Sequence, residues 1–296
     1  MAKVYKHYYY DPSNDDFANC KIVTKETPKH YEYLPKNIFY KIFKPIVYYL
    51  VVPIVSLIEM CILRGKIHNK EVLKSMKKRK EGYFVYGNHT SKANDAFSTP
   101  MLSFPRQCYV IAHPDVISIK GLSLLVRFLG VFPTPNSINT YIDLLKSVEK
   151  VYKKGKVISV YPEAHIWPKY NQIREFPKTS FHYPVKLNAP CFAKTTVYKK
   201  TRSGKTKPVI YLDGPFYPNK DLPMKEAQID LRNRIYNAMV ERAKKENSEL
   251  DYRYEYIKVD SPEEVRTEII KDLKKWTFMN LTPKVGPNEI GKTKGF

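Results

Sequence analysis

Cysteine is scarce in this chain. The four present (Cys20, Cys61, Cys108, Cys191) lie far apart in 296 residues and show no CxxC spacing. That excludes a thiolate zinc site, argues against a disulfide framework at this length, and fits a reducing cytoplasmic compartment. Acidic residues are also in short supply, 29 Asp and Glu against 51 Lys and Arg, for a formal charge of +22. Such an excess favours contact with a polyanion, either a nucleic acid or an anionic lipid surface, and charge alone does not choose between them. The first forty residues, with Tyr8-Tyr9-Tyr10 and many charges, lack an apolar h-region, so no secretory signal is expected. There is no internal repeat, no low-complexity block, and no unbroken run of the roughly 20 apolar residues that a clean bilayer crossing needs.

What is present is enough apolar material, 43% of residues, to bury a proper core. Four regions are expected. Residues 1–40 form a polar, Tyr-rich, irregular lead, and 41–64 an apolar segment. Residues 65–220 form the core, and 221–296 a mainly helical extension with a loose tail. In the second region, Ile46 to Ile58 is apolar or Tyr apart from Pro53 and Ser56, and Lys41, Lys44, Arg64 and Lys66 flank it on both sides. Basic residues on both flanks give no orientation under the positive-inside rule. The pattern suits a helix, or a bent helix pair, that dips into one leaflet from the cytoplasmic face. A buried core helix would read similarly.

Within the core, continuous β-rich runs alternate with helical patterns. Tyr83–Tyr86, Cys108–Ala112, Val157–Tyr161, Cys191–Tyr198 and Val209–Leu212 are strand candidates, unbroken as strands covered on both faces are. Ile117 to Leu129 reads as a helix ending at Gly130. A second helix starts at an Asn136-Ser137 cap, places Ile138, Tyr141, Ile142, Leu145 and Val148 on one stripe, and stops at Gly155. Strand–helix–strand order argues for an α/β layer fold. A further helix, spaced through Ile229, Ile235, Met239 and Ala243, is expected to pack on the core.

Two strand ends carry chemistry. Gly87-Asn88-His89-Thr90-Ser91-Lys92-Ala93-Asn94-Asp95 sets a histidine and a following carboxylate where a strand turns into a helix, the crevice end of an α/β sheet. Histidine suits removal of a hydroxyl proton near neutral pH, and a carboxylate on its other nitrogen fixes the tautomer. A capping Asp beside a packed His would give the same letters. Support comes from Val160-Tyr161-Pro162-Glu163-Ala164-His165, a second strand ending at once in a carboxylate.

At this point the chain resembles the lysophospholipid acyltransferase family, of the 1-acylglycerol-3-phosphate type. Asn88-His89 through Asp95, Leu129-Gly130-Val131-Phe132-Pro133, Tyr161-Pro162-Glu163-Ala164-His165 and Val185 to Pro190 match its four blocks in order, over roughly 65–215. The resemblance implies a mixed, largely parallel sheet flanked by helices, with a membrane-docking segment upstream. It also implies direct transfer without an acyl-enzyme. His89 would be the general base on the acceptor hydroxyl and Asp95 its orienter. The donor would be acyl-CoA or an acyl carrier protein thioester, with no cofactor and no metal. Glu163 would hold the acceptor, with Asn88, Thr90, Ser91 and Pro190 lining its site. The backbone N–H groups of Asn88 to Ser91 are candidates for the oxyanion hole.

Three departures stand out. Five residues separate His89 from Asp95 where the family has four, which puts Asn94 at the usual aspartate position. Thr134-Pro135-Asn136 stands where the second block carries an arginine, and Ala164-His165-Ile166-Trp167-Pro168 where the third continues Gly-Thr-Arg. Both forked phosphate contacts are therefore missing, with Lys169 or Arg174 left as substitutes. A lysophospholipid or related lipid hydroxyl is expected as acceptor and an anionic membrane surface as partner.

Rival readings are a metal hydrolase built from His89, Asp95, His113, Asp115, Glu163 and His165, which show no established ligand motif, and a nucleic-acid binder using Lys77-Lys78-Arg79-Lys80 and Lys199 to Lys207. The second lacks any RRM, KH or helix-turn-helix signature, and the tyrosines lie mostly in apolar runs, so no nucleic-acid partner is expected. A non-catalytic lipid-binding relative is the remaining alternative. Nothing in the sequence specifies an oligomeric state.

Overall fold

The computed structural model describes residues 4–17, 26–28, 31–63, 65–118, 121–202, 204, 206–246 and 254–278. Cys20 and the tail expected after 278 lie outside them. In chain order the elements are β1 (Tyr5–Tyr9), α1 (Ile38–Leu63), β2 (Lys66–His68), β3 (Tyr83–Gly87), α2 (Lys92–Ser103), β4 (Cys108–Ala112), α3 (Asp115–Ser118), α4 (Ser123–Phe128) and β5 (Val131–Pro133). They continue with α5 (Ile138–Lys153), β6 (Val157–Val160), α6 (His182–Leu187), β7 (Cys191–Lys200), β8 (Thr206–Phe216), α7 (Met224–Lys245), β9 (Tyr254–Lys258) and α8 (Pro262–Phe278).

Seven strands form one sheet in the order β2-β8-β7-β3-β6-β4-β5. From β7 to β5 every neighbour is parallel, while β8 runs antiparallel to β7 and β2 joins β8 in parallel. The expected mixed, largely parallel α/β sheet is what the chain forms. Its central strands carry apolar residues on both faces. Phe84, Tyr86, Ile158 and Val160 pack with Leu144, Val148, Leu231, Ile235 and Met239 of α5 and α7 on one side. Tyr83, Val85, Cys108, Val110 and Val157 pack with Met76 on the other. That double covering is why the runs read as continuous rather than alternating.

Several details differ from the sequence reading. The lead is not irregular throughout, because β1 pairs in parallel with β9 in a separate two-stranded sheet, which also puts a strand in the C-terminal extension. The helix expected over 117–129 is broken into α3 and α4, with Gly121 between them at φ +78°. Such a left-handed backbone cannot continue a helix. Helix α5 starts at its Ser137 cap as expected, with a Ser137–Thr140 capping box, but it buries Thr140, Leu144, Val148, Val151 and Tyr152. Ile138 and Ile142, placed on the expected stripe, are exposed. The stripe was displaced because the buried residues of α5 follow its contact with the strands, and Thr140 belongs to that face despite its hydroxyl.

Helix α1 runs unbroken through Pro45 and Pro53, so the bent pair does not form. It begins beside α4, where the Tyr40 hydroxyl donates to the Arg127 carbonyl, and leads into β2 at the far edge of the sheet. One stripe of it, Tyr40, Lys44, Tyr48, Val52 and Ser56, is buried at four-residue spacing. The Tyr48 hydroxyl accepts from the Cys108 N–H at 2.8 Å. The outward residues Ile42, Ile46, Leu50, Ile54 and Leu57 are exposed and apolar. From residue 42 to 58 the helix thus turns its polar side chains toward the protein and hydrocarbon outward, the reverse of a soluble surface helix. A buried core helix is not what it forms. By length and composition alone, its 21-residue stretch Ile38–Ile58 could cross a membrane.

Close backbone approach fixes the entry to β3. A Cβ on Gly82 would lie 1.7 Å from the Lys156 carbonyl oxygen. Gly82→Ala is expected to cost more than about 2 kcal/mol of folding stability by overpacking backbone that cannot yield, measured as a lowered urea midpoint with an unchanged slope.

Candidate functional site

Because β3 and β6 are direct neighbours, the two chemistry-bearing strand ends emerge side by side. The chain leaves β3 at Gly87 and passes Asn88 and His89. It enters α2 behind the Ser91 N-cap, whose hydroxyl accepts from the Asn94 N–H. Asp95, in the first turn of α2, reaches back beneath this loop. One of its oxygens, Oδ2, receives the His89 Nδ1–H at 2.9 Å, the Thr90 N–H at 2.8 Å and the Ser91 N–H at 2.9 Å. The five-residue spacing therefore closes the pair, and Asn94 at the usual aspartate position instead takes part in the cap.

Asp95 is buried (1% exposed) while His89 keeps 19% of its side chain accessible. Burial pushes the Asp95 carboxyl upward, but Lys194, His89 and the backbone donors outweigh it and hold the group below its ordinary value. An ionised Asp95 only accepts hydrogen bonds, so Nδ1 carries the proton of this contact, and in the neutral ring Nε2 is the nitrogen with the lone pair. The His89 ring stacks on Tyr161 with centroids 4.8 Å apart. An imidazole fixed in tautomer and plane, with its second nitrogen outward, can accept a proton from a hydroxyl.

The other expected site residues behave differently. The Asn88 amide is fully buried and exchanges two hydrogen bonds with the Thr196 backbone, at 2.9 and 2.8 Å. It imitates a peptide group and continues the β3–β7 ladder one residue further, so it holds the loop rather than a ligand. Thr90 is buried with its hydroxyl on that of Tyr198 at 3.0 Å. Three of the four expected oxyanion donors are already engaged: Thr90 and Ser91 N–H by Asp95, and His89 N–H by Glu163 at 2.9 Å.

Glu163 does not face the crevice. Its carboxylate is buried and, besides His89, accepts from the Arg174 N–H (2.9 Å) and the Arg174 guanidinium (3.2 Å). Burial lifts the Glu163 carboxyl above its ordinary value against the pull of Arg174. Arg174 is likewise enclosed. It donates to the Pro12 and His165 carbonyls and lies 4.8 Å over the Trp167 ring, so it is not a point charge awaiting a phosphate. Lys169 sits near the loop, its N–H on the Thr90 carbonyl, but its ammonium turns to the Thr206 hydroxyl at 3.2 Å. Pro190 precedes β7, and its carbonyl accepts from Phe84 at the start of β3, at the end of the sheet away from His89. Its place in the site is corrected accordingly. Ala164, where the resembled family carries glycine, keeps a left-handed φ of +62°.

Lys194, unnoticed in the sequence, and Tyr161, noted there only as part of the third block, complete the site. Lys194, in the middle of β7, is wholly buried and donates to the Ser98 and Tyr161 hydroxyls, at 2.7 Å each. Tyr161 in turn donates to the Asp95 carbonyl at 2.5 Å. The signal was legible: a lysine inside the apolar run Cys191–Tyr198 is either an edge residue or a buried cation with a partner.

The site is thus a histidine–carboxylate pair at the end of a parallel strand. Residues 64–199, just under half of the chain, match the family model described as Acyltransferase. No curated protein matches the chain by sequence. Among solved structures, the 1-acyl-sn-glycerophosphate (LPA) acyltransferase PlsC from Thermotoga maritima is similar. It has 16% identity and a TM-score of 0.47, covering 69% of this chain and 89% of that one.

The Glu163–Arg174 pair gives a test that separates support from chemistry. Glu163→Gln and Arg174→Met are each expected to destabilise by about 3–5 kcal/mol, because each leaves a buried charge unpaired. The double variant is expected to lose less than the sum of the two, read from denaturant unfolding of all three.

Proposed function

We propose that the protein is a membrane-bound O-acyltransferase. It moves a fatty acyl group from a thioester, acyl-CoA or acyl carrier protein, to a hydroxyl of a lysophospholipid or related lipid. The observation that carries this reading is the 2.9 Å contact between His89 Nδ1 and Asp95, inside the segment that matches the acyltransferase family. The acceptor hydroxyl gives its proton to His89 Nε2 as its oxygen bonds to the thioester carbonyl carbon. The carbon–sulfur bond then breaks, and the leaving thiolate takes the proton back from the imidazolium. Asp95 stabilises that imidazolium through Nδ1–H. The reaction balances without an oxidant, a metal or an acyl-enzyme.

The acceptor's polar group meets an unusual surface. The position of the second-block arginine is held by Thr134, whose carbonyl accepts from Thr27, and by Asn136, which donates to Glu26. With Arg174 also occupied, an acceptor recognised chiefly through a phosphate is disfavoured relative to one with a neutral or zwitterionic headgroup.

The outward apolar face of α1 would lie in the interfacial layer of a bilayer, with the +22 charge attracting anionic lipid on the cytoplasmic side. Lys199 adds little to that attraction, being tied to Glu246 and Tyr211.

His89→Ala is expected to lower acyl transfer by about 10²–10⁴-fold with the fold intact, and Asp95→Asn by as much but with a loss of stability too, because it leaves the buried Lys194 without its anion. The assay uses labelled acyl-CoA and acyl carrier protein thioesters with a panel of lysophospholipids and lipid alcohols. Transfer unchanged in His89→Ala would overturn the assignment, and liposome binding without any transfer would point to a non-catalytic lipid-binding protein. Separately, Leu50→Ser/Ile54→Ser/Leu57→Ser is expected to reduce co-sedimentation with phosphatidylglycerol vesicles by at least about tenfold while leaving thermal stability in detergent near wild type.

A further inference from the structure

We propose that Lys194 is a positioning residue: its buried charge keeps the His89–Asp95 pair electrically balanced, so that His89 remains free to accept a proton. The inference rests on the acyltransferase reading for its meaning but not for its test.

An ammonium in the middle of a buried strand is costly unless an anion and hydrogen-bond acceptors surround it. Lys194 is 0% exposed, and its Nζ lies 3.7 Å from Asp95 Oδ1, the carboxylate oxygen not used by His89, Thr90 and Ser91. The Ser98 and Tyr161 hydroxyls, each at 2.7 Å, fix the ammonium there. Nζ also stands 4.7 Å from the Tyr161 ring centroid, and that ring stacks on His89. One side chain therefore touches both supports of the histidine.

The groups facing Lys194 come from three elements: Asp95 and Ser98 on α2, Tyr161 after β6 and Cys108 on β4. His89 is reached only through Asp95 and Tyr161. Burial pulls the Lys194 ammonium toward deprotonation, but Tyr161 and Asp95 hold it above its ordinary value. The sheet is cut to admit it: a Cβ on Gly87 would lie 2.8 Å from Lys194 Cε and 2.9 Å from the Tyr161 ring.

The chemical consequence follows from the charges. A buried carboxylate alone, hydrogen-bonded to an imidazole, favours the imidazolium, and an imidazolium is useless as a base. Lys194 cancels the carboxylate's net charge without displacing it. The drive toward the imidazolium is thereby reduced, while Asp95 still receives the Nδ1–H and fixes the tautomer. When His89 takes the acceptor's proton, the cluster becomes net positive, which favours passing that proton on to the leaving thiolate.

The test is a titration of His89 by NMR in full-length protein labelled at histidine, assigned by its loss in His89→Ala, with no substrate present. Lys194→Met removes the charge, and Lys194→Gln removes it while keeping a donor for Ser98 and Tyr161. In both, His89 is expected to bind protons more tightly by about tenfold, moving its midpoint up by about one pH unit. The acid limb of kcat/KM should move in the same direction. An unchanged midpoint in either folded variant overturns the proposal. So does a neutral Lys194 amine in the wild-type protein at pH 7, read from its ¹⁵Nζ resonance, which needs no variant to fold. Failure of acyl transfer in wild type would instead sink the functional reading and leave this titration untouched.

Discussion

A carboxylate buried beneath a histidine needs its charge offset, and much of the site serves Asp95, whose Oδ2 takes three hydrogen bonds while Oδ1 has the Lys194 ammonium at 3.7 Å. Desolvation of a charge that deep opposes ionisation strongly, so the surrounding donors must outweigh it. The loop from Asn88 to Ser91 does so by aiming two backbone N–H groups at Oδ2, which requires an abrupt turn between β3 and α2. Holding that turn requires the Asn88 amide on β7 and the Glu163 carboxylate under the His89 N–H. Glu163 in turn needs Arg174. The chain of dependence runs outward from one oxygen atom.

Its outer end is aromatic. Arg174 lies against Trp167, and Trp167 stacks flat on Tyr256 of β9, with ring centroids 5.0 Å apart. The same indole donates to the Asp15 carbonyl and packs on Tyr9 and Phe17. The two ends of the described chain thus meet over the third block, where the resembled family carries Gly-Thr-Arg. Many of the tyrosines serve this contact and the sheet core, consistent with packing rather than with stacking on nucleic-acid bases. On the opposite flank, residues 42–58 of α1 turn polar side chains inward and hydrocarbon outward, an arrangement that makes sense where the outer medium is not water alone.

Much of this was legible in the sequence where the physics is local. Unbroken β-branched and aromatic runs gave the central strands, because strands covered on both faces have no reason to alternate. Ser137 gave the start of α5, because an N-cap hydroxyl works within three residues. His89 and Asp95 gave the pair, because strand ends in an α/β layer project into one crevice. Glu163, Arg174 and Asn88 misled for a shared reason: a polar residue near a site is equally useful for holding it together. Pro190 misled because the strand it precedes starts at the other end of the sheet. β1 was missed because its partner, β9, lies some 250 residues away. The buried face of α5 was misread because Thr140 belongs to it and Ile138 does not.

The sequence by itself determined the order of the central strands, the adjacency of His89 and Asp95 and an apolar segment ahead of them, all set by interactions within a few turns or by strand covering. Tertiary structure decided which polar groups are occupied. Whether Glu163 meets a ligand or Arg174, whether Lys194 faces solvent or Asp95, and which side of α1 is outward depend on where distant strands deliver their side chains. A buried charge takes whatever partner the fold brings within about 4 Å, and pairwise distances between residues far apart in sequence are not written in either neighbourhood.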